Sequence, residues 1–339
     1  MKGSATVFAS ILLLICGGVL LSGVSREDGA KKVEMLGTAV LERQLGTVAT
    51  LAETTKSPTV TAAQPSALPE KVPVRVVEEA WDEVKREKET ETTPPEPISL
   101  EGVGALELRN ETSYPVELSE LPELPEITGT PVVLIMHTHG TESYCEAAQS
   151  GYRTQDQTQS VLAVGESIRS VLEQQGIEVI HDTTLCDYPE YTGAYNRSRT
   201  VIENNLSEHP EISLVLDIHR DAVENTDGTQ MRMACTLGQQ EAAQLMLVVG
   251  TDAGGLEHPG WQTNLSLGAV LQMRLSEQYP ELMRPLNLRT ERFNQDLAPM
   301  TLLVEVGASG NSLEEAKFSA EVFAEALSQV LLACKGQSS

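Results

Sequence analysis

From residue 131 onward, short aliphatic runs alternate with longer stretches whose apolar residues recur every three to four positions. Val132-Val-Leu-Ile-Met136 is continuously apolar, the pattern of a strand buried on both faces. A helix is predicted from about Thr158 to Gln175, with Gly176 as its C-cap. The pattern then predicts a strand at Ile177–Ile180, a helix at Ser198–Leu206 and a strand at Ile212–Ile218. Met231–Leu237 and Leu245–Val249 read as two further strands, and Gln262–Gln278 as a helix. Thr301–Val306 reads as the last strand and Ser312–Leu332 as a closing helix. Strands alternating with helices of this length predict an α/β fold, a mostly parallel sheet with helices on both faces.

The first hundred residues read differently. Ala5 to Val24 is a run of twenty residues without a charge, which as a helix spans roughly 30 Å. Lys2 precedes it and Arg26-Glu-Asp28 follows. The small residues Ser22 and Gly23 make a poor cleavage site, and Leu13-Leu-Ile-Cys16 departs from a lipoprotein signal at Ile15. An N-terminal anchor or uncleaved signal is therefore expected over 1–24, with the folded domain extracytoplasmic, although Lys31 and Lys32 fall on the far side. Lys31–Leu51 has the spacing of a short juxtamembrane helix. Thr54–Pro97 shifts to Thr, Pro, Glu and Lys and reads as an extended tether, with a brief helix or docking point around Trp81. The expected division is an anchor at 1–24, a juxtamembrane segment and tether at 25–104, and a catalytic domain at 105–339. No internal repeat is visible.

Formal net charge is −25, from 49 acidic and 24 basic residues. With no basic excess to neutralise phosphates, a nucleic-acid partner is not expected. Of five cysteines, Cys16 lies in the anchor and Cys145, Cys186, Cys235 and Cys334 are scattered without a CxxC spacing. These four allow two disulfides, but Cys235 and Cys334 sit in apolar stretches and read as buried thiols.

The candidate chemistry lies at the ends of three predicted strands. The first strand runs into His137-Thr-His139-Gly-Thr-Glu142, and the carboxyl ends of strands are where open α/β sheets bind ligands. His139-x-x-Glu142 puts an imidazole and a carboxylate on one divalent metal if the chain turns just after the strand. His219, at the end of Leu214-Val-Leu-Asp-Ile-His219, completes the open three-ligand set of a hydrolytic zinc enzyme. Asp217, Arg220 and Asp221 surround it as orienting partners. Glu305, inside the aliphatic Thr301–Val306 strand, is costly to ionise without a nearby cation, which suits a general base for a zinc-activated water. The alternative for Glu305 is a core ion pair with Arg289 or Arg292. His181-Asp182, Tyr195 and Arg197 either shape the cleft or lie in a surface loop. Asn294 and Gln295 are candidates for recognising a substrate amide.

Several segments in order resemble the stage II sporulation protein P family, membrane-anchored cell-wall hydrolases of endospore-forming bacteria. They are His137-Thr-His-Gly-Thr-Glu-Ser-Tyr144, His181-Asp-Thr-Thr, Val215-Leu-Asp-Ile-His-Arg-Asp-Ala222, Val248-Val-Gly-Thr251, Leu256-Glu-His-Pro-Gly-Trp261, Arg292-Phe-Asn-Gln295 and Leu303-Val-Glu-Val-Gly307. The resemblance covers about Pro131 to Leu332, and the same region is more distantly similar to zinc N-acetylmuramoyl-L-alanine amidases. It implies an amidase/zinc-peptidase-like fold that cleaves the amide between the glycan lactyl group and L-alanine, and also peptide crosslinks, during septal wall remodelling and engulfment. Its implied partners are peptidoglycan, the membrane, and stage II sporulation proteins D and M.

Carried over by motif, His139, Glu142 and His219 are the implied Zn²⁺ ligands and Glu305 the catalytic carboxylate. His137 either replaces or supports His139, Asp217 and Arg220 are alternative ligands or supports, and His181, Asn294 and Gln295 are candidates for substrate. The distant amidases place their ligand glutamate near the start of the first helix. Here that region holds Gln157 and Gln159, so Glu142 stands in, as in the close His-x-x-Glu arrangement of zinc carboxypeptidases. A carboxypeptidase or deacylase on the same fold, and a wall-binding scaffold without catalysis, are the other functions these residues allow.

Overall fold

The computed structural model describes residues 106–336. The expected anchor, juxtamembrane helix and tether, with Cys16 and Trp81, lie outside the described residues. Among the described residues no helix is long and apolar enough to cross a membrane.

Among the described residues nine strands and four α-helices follow in order. They are β1 (Leu108–Asn110), β2 (Val132–Met136), α1 (Val161–Gln174), β3 (Glu178–His181), α2 (Ala194–Glu208), β4 (Ile212–Asp221), β5 (Ala234–Leu237), β6 (Gln240–Ala243), β7 (Leu245–Gly250), α3 (Trp261–Gln278), β8 (Leu286–Arg289), β9 (Thr301–Ala308) and α4 (Leu313–Ala333). Seven strands form one sheet in the order β1-β8-β7-β9-β4-β2-β3. Every neighbouring pair is parallel except β7 with β9. The α/β class with a mostly parallel sheet therefore stands, with one antiparallel seam between β7 and β9.

The helices cover the two faces unequally. Val133 and Ile135 of β2, Leu214, Leu216 and Ile218 of β4, and Leu302, Val304 and Val306 of β9 pack with residues of α1, α3 and α4 in the main core. The alternate residues Val132, Leu134, Met136 and Val215 pack with Ile202 of α2 in a smaller cluster. Period-two alternation along the central strands thus feeds both layers. Helix starts follow local chemistry: the Ser160 side chain accepts from Leu162 N and that of Ser312 from Glu315 N, each satisfying an otherwise free helical amide.

Three differences from the sequence pattern have physical reasons. Met231–Leu237 was expected to join the sheet, but Ala234–Leu237 pairs antiparallel with β6 as a separate hairpin. Gly238, at φ +62°, makes its turn, and the outward residues Thr236 and Glu241 are exposed. The edge strand β1 and its neighbour β8 escape the pattern because three or four residues are too few to show a period, and Asn287 interrupts β8. Helix α2 begins at Ala194, a turn earlier than its apolar spacing indicates, because Gly193 caps it in the left-handed region at φ +82°. Cys145, Cys186, Cys235 and Cys334 are all unpaired, so the two-disulfide alternative falls.

Candidate active site

Strand parity sorts the candidate residues. His219 of β4 lies opposite Glu305 of β9 in register, and Asp217 lies opposite Leu303, so all three side chains leave the sheet on the α2 face. The register then slips by one residue, since Asp221 pairs with Ala308, and β9 carries the extra residue. Gly307 absorbs this bulge at φ +67°, and a Cβ there would stand 2.8 Å from both Ala243 Cβ and Asn311 Oδ1. Bulges of this kind re-aim side chains next to active sites.

The chain turns immediately after β2, as the His139-x-x-Glu142 spacing requires: Glu142 N donates to His139 O at 2.9 Å. The rings of His139 and His219 meet edge to face, 5.4 Å between centroids. Glu142 Oε2 lies 3.4 Å from His219 Nδ1 and accepts from Arg220 N at 3.3 Å. Asp217 Oδ1 stands 2.9 Å from His219 Nε2, but out of hydrogen-bond alignment. Asp217 is itself fixed by Thr138, whose N–H and hydroxyl donate at 2.8 and 2.6 Å. Arg220 clamps the loop that carries Glu142, donating to Ser143 O at 2.9 Å and Tyr152 O at 3.0 Å. Tyr144, fully buried, ties the same loop to β9 by donating to Val306 O at 3.1 Å. His139, Glu142, His219, Asp217 and Arg220 are therefore one buried cluster.

Burial and the neighbouring His219 hold His139 below the usual imidazole range, which leaves it neutral with a free lone pair. Burial also works against a charge on His219, but Asp217 and Glu142 outweigh it and keep that imidazole protonated well above its ordinary range. Burial pushes the Glu305 carboxyl up to about 8, with His219 pulling the other way. Neither Arg289 nor Arg292 pairs with Glu305: Arg289 reaches Glu111 and Glu291, and Arg292 reaches Asp296. The core ion-pair alternative is thereby removed.

Among the described residues no group of three or more His, Cys, Asp or Glu side chains stands arranged to hold a metal ion. The donors instead face one another, Glu142 toward His219 Nδ1 and Asp217 toward Nε2. Their chemistry nonetheless fits a zinc ion. His139 Nδ1, His219 Nε2 and Glu305 Oε2 are buried without a hydrogen-bond partner, an expensive state for three neighbouring polar atoms. Because His219 must give up its proton to ligate, metal uptake here is coupled to proton release.

Four candidates lie elsewhere. His137 leaves β2 on the α1 face, with Nδ1 3.1 Å from Ile218 O and Nε2 2.9 Å from His181 Nε2. Gly165 of α1 makes room for the pair, since a Cβ there would stand 2.8 Å from the His137 ring and 2.9 Å from His181. His137 and His181 thus stand together on the α1 face, opposite the face from which Asp217, His219 and Glu305 emerge. The pleat of β2 puts His137 there, and the β2–β3 register, with His181 opposite Ile135, puts His181 beside it. Asn294 donates to Tyr195 O at 2.8 Å and to Ser198 Oγ at 3.1 Å. Gln295 bridges Gly250 N and Val248 O at 2.7 and 2.9 Å. Gln295 thus spends both ends of its amide within the protein, and Asn294 spends its Nδ2 on α2.

Sequence reasoning missed the segment that walls the site. Asp187 accepts from Thr141 N at 3.1 Å and Arg153 Nη1 at 2.8 Å, and lies 4.0 Å from His139 Nδ1. Tyr191, 56% exposed, stacks on His139 at 4.4 Å and carries the Arg153 guanidinium 4.6 Å from its ring centre. Thr141, Arg153, Asp187, Tyr188 and Tyr191 line an open cleft of about 490 Å³ beside the cluster. The only signal in the chain was two tyrosines in the polar, turn-rich run Asp187-Tyr-Pro-Glu-Tyr-Thr-Gly193.

A family model described as Stage II sporulation protein P matches residues 38–328. A curated relative, Stage II sporulation protein P of Bacillus subtilis (strain 168), is 28% identical over 214 residues, which is 59% of this chain and 51% of the relative. The match thus spans about half the length of that relative. Among solved structures, the N-acetylmuramoyl-L-alanine amidase AmiC2 of Nostoc punctiforme is 15% identical, covering 60% of this chain and 97% of its own, at a TM-score of 0.37. The CwlD amidase of Clostridioides difficile, in complex with the GerS lipoprotein, is 14% identical, covering 60% and 96%, at 0.37.

Proposed function

The chain belongs to the Stage II sporulation protein P family, and we propose that it hydrolyses peptidoglycan at the N-acetylmuramoyl-L-alanine amide. The observation that carries this reading is the meeting of His139, Glu142, His219 and Glu305 on one face of the sheet, with unpartnered buried nitrogens and oxygen among them.

His139, Glu142 and His219 would hold Zn²⁺. When bound, the ion supplies Lewis acidity and charge stabilisation at the scissile carbonyl. Glu305, brought into its ionised form by a neighbouring cation, takes a proton from the attacking water and delivers it to the leaving nitrogen of L-alanine. The carbon–nitrogen bond breaks, leaving a lactyl carboxylate on the glycan and a free amine on the stem peptide. Asp217 and Arg220 act through other groups, orienting His219 and the Glu142 loop. The cleft lined by Arg153, Tyr188 and Tyr191 is wide enough to receive part of a stem peptide or a sugar ring. Action on peptide crosslinks, an anchored and extracytoplasmic location, and partnership with stage II sporulation proteins D and M belong to the same proposal. They are supported by the family resemblance and by the uncharged run Ala5–Val24.

The test is digestion of purified sacculi by the full chain, with and without added Zn²⁺, followed by mass analysis of the fragments. Release of intact stem peptides with new L-alanine amino termini is expected, abolished by Glu305→Gln with zinc content retained. Release of single terminal amino acids would mark a carboxypeptidase instead. No release, and no stoichiometric zinc on metal analysis, would leave a scaffold.

A further inference from the structure

Two adjacent residues, Phe293 and Asn294, both hold left-handed backbone angles, φ +53° and +59°. Side chains rarely accept this conformation, and two in succession persist only where the surroundings over-determine them. Their contacts converge on the first turns of α2, at Tyr195 and Ser198. The Phe293 ring packs on the Tyr195 ring at 5.9 Å, and the Asn294 amide holds Tyr195 O and Ser198 Oγ. The segment is braced from both sides. Gln295 hooks it to β7, while Asp296 pairs with Arg199 of α2 at 3.1 Å. Gly250 allows the close approach, since a Cβ there would stand 2.2 Å from Glu291 O.

Tyr195, thus gripped, meets the cluster with its ring edge-on to His139 at 5.6 Å. Its hydroxyl makes no hydrogen bond among the described residues. A phenol is protonated at neutral pH in any case, and burial together with Asp217, Glu305 and Glu142 holds this one further in that form. It is therefore a rigidly held phenol whose hydroxyl has no protein partner among the described residues, its ring against His139 on the α2 side where Asp217, His219 and Glu305 emerge.

We propose that the Tyr195 hydroxyl is a catalytic donor that hydrogen-bonds the carbonyl oxygen of the scissile amide as it becomes an oxyanion, and that Phe293 and Asn294 are its positioning residues. This rests on the hydrolytic reading above. No proton is transferred from Tyr195. Its hydrogen bond strengthens as charge moves onto the oxygen and relaxes when the carbon–nitrogen bond breaks.

Tyr195→Phe removes one oxygen and keeps the ring that packs on His139 and Phe293. In the full chain with Zn²⁺, kcat on a soluble muramoyl-peptide is expected to fall about 10²-fold, with KM within about twofold and zinc content and Tm unchanged. A phosphinate analogue of the scissile amide, measured by calorimetry, is expected to bind more weakly by a similar factor. Asn294→Gly, which suits the left-handed backbone but loses the amide, is expected to lower kcat alone and to lower it no further in the Tyr195→Phe background. Wild-type kcat in Tyr195→Phe, or a rise in KM alone with unchanged analogue binding, overturns the proposal while leaving the hydrolase intact. A wild-type chain that releases no stem peptides overturns the hydrolase reading first, and this one with it.

Discussion

The most exposing perturbation is Glu305→Gln, read through stability rather than turnover. Glu305 is half-buried with its Oε2 buried and unpartnered, it has no ion-pair partner among the described residues, and its carboxyl is pushed up from 4.5 to about 8. In the metal-free chain the folded state therefore keeps a proton that the unfolded state has already lost above pH 4.5. The stability this confers is complete below pH 4.5 and is lost as pH rises through about 8. At 1.36 kcal/mol per pKa unit the loss is about 5 kcal/mol by pH 8 and above, before any relaxation of the site. Glutamine has the same shape and no charge, so the variant escapes this term. Urea unfolding of the chelator-treated chain and its variant, from pH 5 to pH 8.5, measures the difference between them as other groups cancel. The variant is expected to gain on wild type steadily across that range, by about 2 M in midpoint at the alkaline end if m is near 2–3 kcal/mol/M. Saturating Zn²⁺ is expected to shrink the difference, because a cation beside Glu305 stabilises its ionised form. A difference that stays flat with pH, or is untouched by zinc, would mean that Glu305 is neither isolated from partners nor next to the metal.

Three further outcomes follow from the geometry. Asp217→Asn, which keeps the Thr138 contact but removes the charge beside His219, is expected to weaken zinc affinity about 10–100-fold in a chelator competition. Gly307→Ala forces a Cβ into Ala243 and Asn311 at φ +67°, and is expected to destabilise the chain by about 2–4 kcal/mol in chemical denaturation. His181→Gln, on the α1 face, is expected to leave KM for a muramoyl-peptide unchanged. A KM raised tenfold without loss of zinc or stability would return His181 to the substrate cleft.

The residues that bear chemistry were legible because buried aliphatic strands do not carry His, Asp or Glu without a reason. Leu214-Val-Leu-Asp-Ile-His219 and Leu303-Val-Glu305 announce themselves against their apolar background. His139-x-x-Glu142 was legible as a turn after a strand. The cleft wall was not, since Asp187, Tyr188 and Tyr191 sit in a polar loop that no period marks and that meets Thr141 and Arg153 only in space. The internal partners of Asn294 and Gln295 were hidden for a related reason: an amide in a loop looks the same whether it greets a ligand or a backbone carbonyl.

Linear order therefore carried the α/β alternation, the central strands and the identity of the reactive side chains, because each depends on local spacing and on the cost of burying polar groups. Folding alone settled direction and neighbourhood. It reversed β7 against β9, detached the β5–β6 hairpin, and sent His137 and His139 to different surroundings although a single residue separates them. A strand's pleat and the turn that ends it assign each side chain to a face, and the partners waiting on that face come from segments far away along the chain.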